Sequence, residues 1–402
     1  MPPIVPAPAP TSLPAPLRRR DLPGALAAVL SAAAGREALA AAAGEGPARV
    51  LRVGPSRSVA TLAQASRLAR DGDVIEVDAG EYKADVAVWP QDRLTLRAIG
   101  GRARLVADGA HAEGKGIWVV RGGTVSVQGF DFVGARVPDR NGAGIRFEAG
   151  RLQVRDCVFS RNENGILTSG DPQAELVLED CEFGHNGHGD GYSHNLYVGR
   201  IRRLGVSGCY FHHANVGHLL KSRAAENHVF YNRLTDEAGG RASYELEFPN
   251  GGLAYVVGNI LEQAATTENP CIVSFGAEGY AWAANELYLV HNTWVDRLRA
   301  WAPILFVRPG AGVVRVVNNL IAGATLPTLD RAEVGGNLAL PAREIASLVA
   351  RDFRWAPQGA PVRLAPPGTA HGVDLTPRRA FQAPRGSVAL AGAPLMPGAP
   401  HA

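Results

Sequence analysis

The chain lacks three features that mark common classes of protein. No stretch of about 20 apolar residues interrupts its 402-residue length, so we expect no membrane-spanning helix. The net charge is only +3, which excludes the strongly basic surface by which proteins hold DNA or RNA. The four cysteines form no Cys-x-x-Cys pair and show no Cys/His zinc spacing. We therefore expect neither a membrane span, nor a nucleic-acid partner, nor a zinc finger.

Glycine and proline are abundant instead. The sequence has 47 Gly and 28 Pro, which favours many turns and few long helices. Hydrophobic residues make up 46% of it, enough for a large core. The composition therefore indicates a folded protein built from short elements.

The N-terminal segment 1–45 has a different composition from the rest. Residues 1–16 are rich in Pro and Ala and are predicted to be disordered. Arg18-Arg19-Arg20 then precedes a modestly apolar run, with small residues suited to cleavage near Ala38 to Ala43. This arrangement resembles a twin-arginine export signal, so we expect a periplasmic or secreted protein. The alternative is an Ala-rich tail or a short helix.

Folded sequence is predicted from residue 46 onward. Residues 58–70 read as a short amphipathic helix, followed by Asp71-Gly72-Asp73 and a strand over residues 74–77. Helix, Asp-Gly-Asp turn and strand together resemble the capped start of a right-handed parallel β-helix. The regular pattern fades after residue 340, so residues 341–402 are expected to form an irregular tail that packs on or caps the solenoid.

A short strand motif recurs through the body of the chain at steps of 23 to 33 residues. Repeats of this length mark solenoids. Because the strands are short and no helices separate them, the predicted fold is all-β, a single-stranded right-handed parallel β-helix over residues 46–340. The residues that end the successive motifs are Phe130, Cys157, Cys181, Cys209, Asn232, Asn259, Asn292 and Asn319.

These equivalent positions should stack on one another as ladders. The cysteines are interpreted as small buried hydrophobes, with a disulfide framework as the alternative. The asparagines are interpreted as structural, since amide side chains can hydrogen-bond along such a stack.

A second strand in each coil carries the candidate site. Side chains alternate between faces along a strand. With Leu196, Leu220 and Leu246 placed inward, three pairs are predicted to face outward on successive coils, about 4.8 Å apart. These pairs are Asn195 with Tyr197, Lys221 with Arg223, and Glu245 with Glu247.

Histidines concentrate around these strands. Eight of the eleven lie between residues 185 and 291, including His194 and His218. Nearby loops add other polar residues, among them Arg241, Tyr244 and Asn250. The concentration favours a binding or catalytic site over the alternative, which is a cross-strand ion-pair ladder on a solvated sheet.

The stretch Lys221-Ser222-Arg223-Ala224-Ala225-Glu226-Asn227, followed by Asn232, resembles the parallel β-helix polysaccharide lyases of the chondroitinase B and alginate lyase type. The resemblance implies Lys221 as the Brønsted base. In that family an Arg on the next coil assists, whereas this chain has Tyr244-Glu245-Leu246-Glu247 there. The sets His194–Tyr197, Gly217–Arg223 and Ser243–Gly252 also resemble the exported right-handed β-helix repeat proteins of bacteria.

Two kinds of function follow as hypotheses. The first is a lyase that cleaves a uronate polymer by β-elimination, because cations can stabilise the carboxylate as it becomes enolate-like. Its catalytic candidates are Lys221, Arg223, Tyr244 and His218. The substrate-binding candidates are His194, Asn195, Tyr197, Arg241, Glu245, Glu247 and Asn250.

Other assignments stay open at this point. Glu245 and Glu247 are also the candidate carboxylate pair of a glycoside hydrolase. These glutamates with Asn250 are candidate ligands of a divalent cation such as calcium. The hypothesis from a different class is a non-catalytic solenoid that binds an acidic polysaccharide or oligosaccharide through the same patch.

Overall fold

The computed structural model describes residues 48–298, 303–355, 362–392 and 394–401. The predicted export segment 1–45 lies outside the described residues. None of the helices described there is long and apolar enough to cross a membrane. The described part of the chain is a parallel β-solenoid with very few helices, which confirms the predicted fold class.

Each coil contributes two consecutive strands to one large sheet and a third to a smaller one. The large sheet has 21 parallel strands in two rows, which share the two long strands Asp73–Lys83 and Arg93–Val106. The first row is β1 (Val50–Val53), β2 (Asp73–Lys83), β4 (Arg93–Val106), β6 (Thr124–Gln128), β9 (Arg151–Arg155), β12 (Glu175–Glu179), β15 (Arg203–Ser207), β18 (Glu226–Phe230), β21 (Leu253–Val257), β24 (Glu286–Val290), β27 (Val313–Val317) and β29 (Glu333–Gly335). The second row is β7 (Phe130–Val133), β10 (Val158–Ser160), β13 (Glu182–Gly184), β16 (Tyr210–His212), β19 (Arg233–Thr235), β22 (Ile260–Gln263), β25 (Thr293–Asp296), β28 (Leu320–Ala322) and β30 (Leu338–Leu340).

The smaller sheet, called here the site sheet, has nine parallel strands and carries the candidate residues. Its members are β3 (Ala87–Trp89), β5 (Gly116–Val120), β8 (Ala143–Phe147), β11 (Asn164–Thr168), β14 (Leu196–Val198), β17 (Leu220–Ser222), β20 (Leu246–Phe248), β23 (Val273–Phe275) and β26 (Leu305–Val307). Inward Leu, Ile and Val side chains from all rows fill one continuous core. Their burial is the main stabilising contribution to the solenoid.

Ladders of identical side chains hold the coils in register. The rings of Phe132, Phe159, Phe183 and Phe211 stack with centroids 4.7–4.9 Å apart. The predicted asparagine ladder is present: the side-chain oxygens of Asn259, Asn292 and Asn319 each accept from the backbone and side-chain N–H groups of the asparagine one coil earlier. It extends one coil further, to Asn337.

The cysteines behave as predicted for buried hydrophobes. All four, which lie within the described residues, are buried and free. Burial raises the pKa of the Cys157 and Cys181 thiols well above the usual range. The sulfur ladder passes into the amide ladder where the Cys209 backbone N–H donates to the Asn232 side chain.

Short helices and a tail complete the described chain. The predicted N-terminal helix is α1 (Leu62–Leu68), which buries Leu62 and Ala65 in the core. The Asp85 carboxylate accepts the N–H groups of Leu62 and Ala63, satisfying donors that a helix N-terminus leaves free. After residue 340 come a 3₁₀ turn (Ala342–Glu344), α2 (Ile345–Ala350), β31 (Thr369–Ala370), β32 (Val373–Asp374), β33 (Arg379–Phe381) and β34 (Ser387–Ala389).

The tail runs back along the outer face of the large sheet. Ile345, Leu348 and Phe353 join an apolar cluster with Val295 and Leu320 of the solenoid. Arg385 pairs with Glu182 and Asp156, each at 3.0 Å. The tail therefore covers one face of the large sheet and leaves the site sheet uncovered by these contacts.

Candidate functional site

Two rows of side chains from neighbouring coils meet at the site sheet. The register of β14, β17 and β20 pairs Tyr197 with Lys221 and Lys221 with Glu247, all facing outward as predicted. Lys221 Nζ lies 3.0 Å from Glu247 Oε2. Only 13% of the Lys221 side chain is exposed, so its charge is held in a partly desolvated position.

A second row of side chains consists of His194, His218 and Tyr244. Each of them lies two residues before its strand begins. The rings of His194 and His218 lie 4.4 Å apart, and Tyr244 meets His218 edge-on at 4.9 Å. His218 Nε2 lies 2.9 Å from the same Glu247 oxygen that Lys221 approaches. One buried carboxylate therefore joins a lysine and a histidine from the previous coil.

Burial sets the charge states in this row. It lowers the pKa of His194 well below the usual range, and nearby His218 and Lys221 add to the effect. Burial also lowers the pKa of His218, although Glu247 opposes this. For Glu247, burial raises the pKa, but His218 and Lys221 outweigh it and leave the pKa below its usual value. We infer two neutral imidazoles beside a charged glutamate at neutral pH.

Arg223 connects the patch to a loop that the sequence patterns did not indicate. Its guanidinium donates to the Tyr197 hydroxyl at 2.7 Å and to both oxygens of Glu278 at 2.7 and 2.8 Å. Lys221 Nζ lies 3.4 Å from Glu278. The two cations thus hold one carboxylate from outside the sheet. Burial raises the Glu278 pKa, but Arg223 outweighs it and keeps the pKa below its usual value.

The loop that bears Glu278 is fastened to the turn 249–252. The Glu278 N–H donates to the Pro249 carbonyl, and the Ala281 N–H donates to the Asn250 carbonyl. The Trp282 indole donates to the Arg223 carbonyl at 3.1 Å. Asn250, predicted to bind substrate, is buried beneath this loop. The contacts that Asn250 makes in the structure are with this loop, so they hold the loop in place.

A cleft of about 660 Å³ opens on the same face, over the coils that precede Lys221. Its size falls within the range of ligand sites. Its floor follows the outward ladder from Arg146 through Leu167 to Tyr197. The rim is Asp139, Arg140, Asn141, Asn164, Thr168, Ser169, Gly170, Asp190, Tyr192 and Gly199.

Arg146 is a charged residue that sequence reasoning missed. It sits three rungs, roughly 14 Å, from Lys221 on the same outward ladder. Its Nε is buried without a hydrogen-bond partner, and its ion-pair contact with Glu148 is long, at 4.0 Å. The outward position of Arg146 in β8 was the signal that would have found it.

The predictions for Asn195 and Glu245 were wrong in orientation. Both are fully buried and point inward, because each stands at a coil corner one residue before its strand begins. Asn195 accepts from Asn186 and donates to the His212 carbonyl, extending an internal amide ladder. The Glu245 carboxylate has no hydrogen-bond partner, and its burial, followed by the charge of Asp236, raises its pKa well above the usual range.

This burial removes two of the arrangements that the sequence left open. Glu245 has no exposed surface, so it cannot flank a sugar together with Glu247. The same two glutamates point to opposite sides of the sheet and cannot join Asn250 around one calcium ion. Arg241 also lies elsewhere: it pairs with Glu268 and lines a separate pocket.

Comparisons with known proteins find likeness only among solved structures. Pectate lyase Pel9A is 14% identical, with 80% of this chain and 90% of that chain covered and a TM-score of 0.48. The PL6 family polysaccharide lyase Pedsa3628 from Pseudopedobacter saltans is 11% identical, with 73% and 93% covered and a TM-score of 0.28. ORF18 of Geobacillus virus E2 is 11% identical, with a TM-score of 0.42. The match covers 67% of this chain and about half, 53%, of that viral protein.

No protein family and no curated protein matches the chain. At identities of 14% and below, no activity is carried over from these structures.

Proposed function

We propose that the protein binds an acidic polysaccharide along the site sheet and cleaves it by β-elimination. The observation that carries the proposal is the capture of one carboxylate, that of Glu278, by Lys221 and Arg223 together. A uronate sugar presents the same carboxylate group. Its charge grows as the neighbouring proton leaves, and preorganised cations stabilise that change.

The cleft gives the polymer a path to these cations. Arg146 and Tyr197 line its floor, and Tyr197 is in direct contact with Arg223. A chain of sugars lying over β8, β11 and β14 would reach Lys221 and Arg223 on the next coil. Arg146, whose side chain is 24% exposed, presents a cation to a second sugar carboxylate, because a guanidinium binds carboxylates through charge-assisted hydrogen bonds.

In the reaction that we propose, Arg223 takes the sugar carboxylate in place of Glu278. The Lys221 amine accepts the proton from the carbon beside that carboxylate. The C–H electrons form a carbon–carbon double bond, the bond from the neighbouring carbon to the glycosidic oxygen breaks, and the Tyr197 hydroxyl donates a proton to that oxygen. Only the unprotonated amine can accept this proton, since an ammonium nitrogen has no free electron pair.

His194, His218 and Tyr244 support this arrangement rather than perform it. The His218 backbone N–H donates to His194 Nδ1 at 2.9 Å, which fixes the corner before β17. His218 and Glu247 then hold Lys221 from the side away from the cleft. We assign these residues as positioning residues for Lys221.

Ultraviolet absorbance tests the proposal. The purified protein is mixed with a panel of uronate polymers, because elimination creates a conjugated unsaturated uronate that absorbs and hydrolysis does not. A rise on one polymer would support a lyase and identify its substrate. A flat trace with new reducing ends would indicate a hydrolase. A flat trace with polymer binding but no new ends would indicate a binding solenoid.

We also propose that the chain acts outside the cytoplasm. Large acidic polysaccharides are met there, and segment 1–45 resembles an export signal. Fractionation of cells expressing the full chain, with Arg18-Arg19-Arg20 replaced by lysines as the comparison, tests this proposal.

A further inference from the structure

Three histidines gather at a coil corner away from Lys221. His185 follows β13, His212 ends β16, and His213 follows it. One ring nitrogen from each lies within 4.8 Å of the other two. His212 Nδ1 and His213 Nδ1 are 2.8 Å apart. Two nitrogens bound to one tetrahedral zinc ion are about 3.3 Å apart, so small side-chain rotations would bring all three to a shared ion.

We propose that His185, His212 and His213 form a binding site for a divalent transition-metal ion such as zinc. Three imidazoles without a carboxylate suit zinc, copper, nickel or cobalt. Calcium and magnesium prefer oxygen ligands. This site is independent of the proposed lyase chemistry, which uses none of the three residues.

The local chain is shaped to admit the imidazoles. Gly184 pairs with His212 across the sheet, and a Cβ at Gly184 would lie 2.1 Å from a carbon of the His212 ring. His185 and His213 both have left-handed backbone, with φ of 58° and 44°. Arg161 has the same conformation one coil earlier, so the turn belongs to the fold. What distinguishes this corner from the one before it is that histidines occupy the left-handed positions.

A carboxylate supports one of the three rings, as is usual for histidines that bind a metal. The Glu182 carboxylate lies 3.6 Å from His212 Nε2, where it can orient the ring while Nδ1 faces the ion.

Space remains for a fourth ligand. A pocket of about 300 Å³ lies against His185 and His213, and Gly239 and Gly240 form part of its wall. Arg241, on the rim of the pocket, is paired with Glu268. A water molecule or a small anion can therefore complete the coordination, as in zinc sites with three protein ligands.

Calorimetric titration of the untagged, chelator-treated full chain with zinc chloride tests the proposal. We expect one zinc ion per chain and no comparable binding of calcium. His185→Asn and His213→Asn should each weaken zinc binding roughly tenfold or more. Asparagine tolerates left-handed backbone, so both variants should fold, which circular dichroism checks.

His371→Ala is the matched control, because His371 is an exposed histidine paired with Glu286 far from the corner. It should bind zinc as the unmodified chain does. The proposal is overturned if the chain binds no zinc at micromolar concentration. It is equally overturned if the two asparagine variants bind as well as the control.

Discussion

Lys221 and Glu247 stand on neighbouring coils, with Lys221 Nζ 3.0 Å from Glu247 Oε2 on the outer face of the site sheet. The same carboxylate oxygen lies 2.9 Å from His218 Nε2. Glu247 is buried, so this pairing fixes Lys221 more firmly than a surface ion pair would. Through Glu247, the proposed base Lys221 is therefore linked to His218 in the row of buried histidines.

Glu278 occupies the position that we assign to the sugar carboxylate, and its removal should strengthen binding. Glu278→Gln leaves Arg223 and Lys221 without this competing anion. We expect the affinity for a uronate oligosaccharide to rise roughly two- to fivefold, the range of a partly exposed ion pair. Glu268→Gln, which breaks the Arg241 pair outside the cleft, is the control for calorimetric titration. Weaker binding by Glu278→Gln would mean that Glu278 holds the substrate directly.

Arg146 should contribute to binding rather than to the chemical step. Arg146→Ala removes a cation from the cleft floor about 14 Å from Lys221. We expect KM to rise roughly tenfold with kcat little changed, since the lost contact is the same in the ground state and the transition state. Arg331→Ala, at an exposed position, should change neither constant. An unchanged KM for Arg146→Ala would place the polymer elsewhere.

The asparagine ladder should be a measurable source of stability. Asn259→Ala leaves the Asn232 N–H groups, the Asn292 oxygen and the Val229 carbonyl each short of a hydrogen bond inside the solenoid. We expect a loss of about 1–3 kcal/mol in the free energy of unfolding, measured by urea denaturation. The exposed Asn141→Ala should lose less than about 0.5 kcal/mol. Equal effects of the two changes would argue against a structural ladder.

Buried acids should make the protein more stable at mildly acidic pH. Burial raises the pKa of Asp236 to about 7, from 3.8 in the unfolded chain. Between these values the folded state holds a proton that the unfolded state has lost, so stability falls as the pH rises from 4 to 7. The contribution of Asp236 to this fall is about 4 kcal/mol at most.

Asp236→Asn removes this titration while keeping the shape of the side chain. The difference in unfolding free energy between variant and unmodified chain should therefore grow in favour of the variant as the pH rises from 4 to 7. Denaturant unfolding at pH 5, 6 and 7 measures it. A constant difference across this range would show that Asp236 is charged in the folded protein.

The fold was predictable because a solenoid repeats its pattern. The residues that end each motif, such as Cys209 and Asn232, recur at a step that only stacked coils explain. Within strands, the alternation of side chains between the two faces correctly placed Tyr197, Lys221 and Glu247 outward. At the corners it failed for Asn195 and Glu245, because the chain there is not extended strand and the residue before each strand turns into the core.

The rest of the site depends on long-range contacts that no local pattern carries. Glu278 lies 55 residues beyond Arg223 in sequence, yet the two side chains share a hydrogen-bonded ion pair. Loop 276–282 reaches Arg223 because its backbone is fastened to the turn at Pro249 and Asn250. Such a contact follows from the stacking of two coils and from the length of the intervening turn.

Turnover by Lys221→Ala shows whether Lys221 is the base of the proposed elimination. The variant and the unmodified chain are compared by ultraviolet absorbance on the polymer that the panel identifies, with Lys83→Ala as the control because Lys83 is an exposed lysine on the large sheet. We expect Lys221→Ala to lose the absorbance rise while calorimetry still detects polymer binding, and Lys83→Ala to keep both. Full turnover by Lys221→Ala would contradict the assignment of Lys221 as the base.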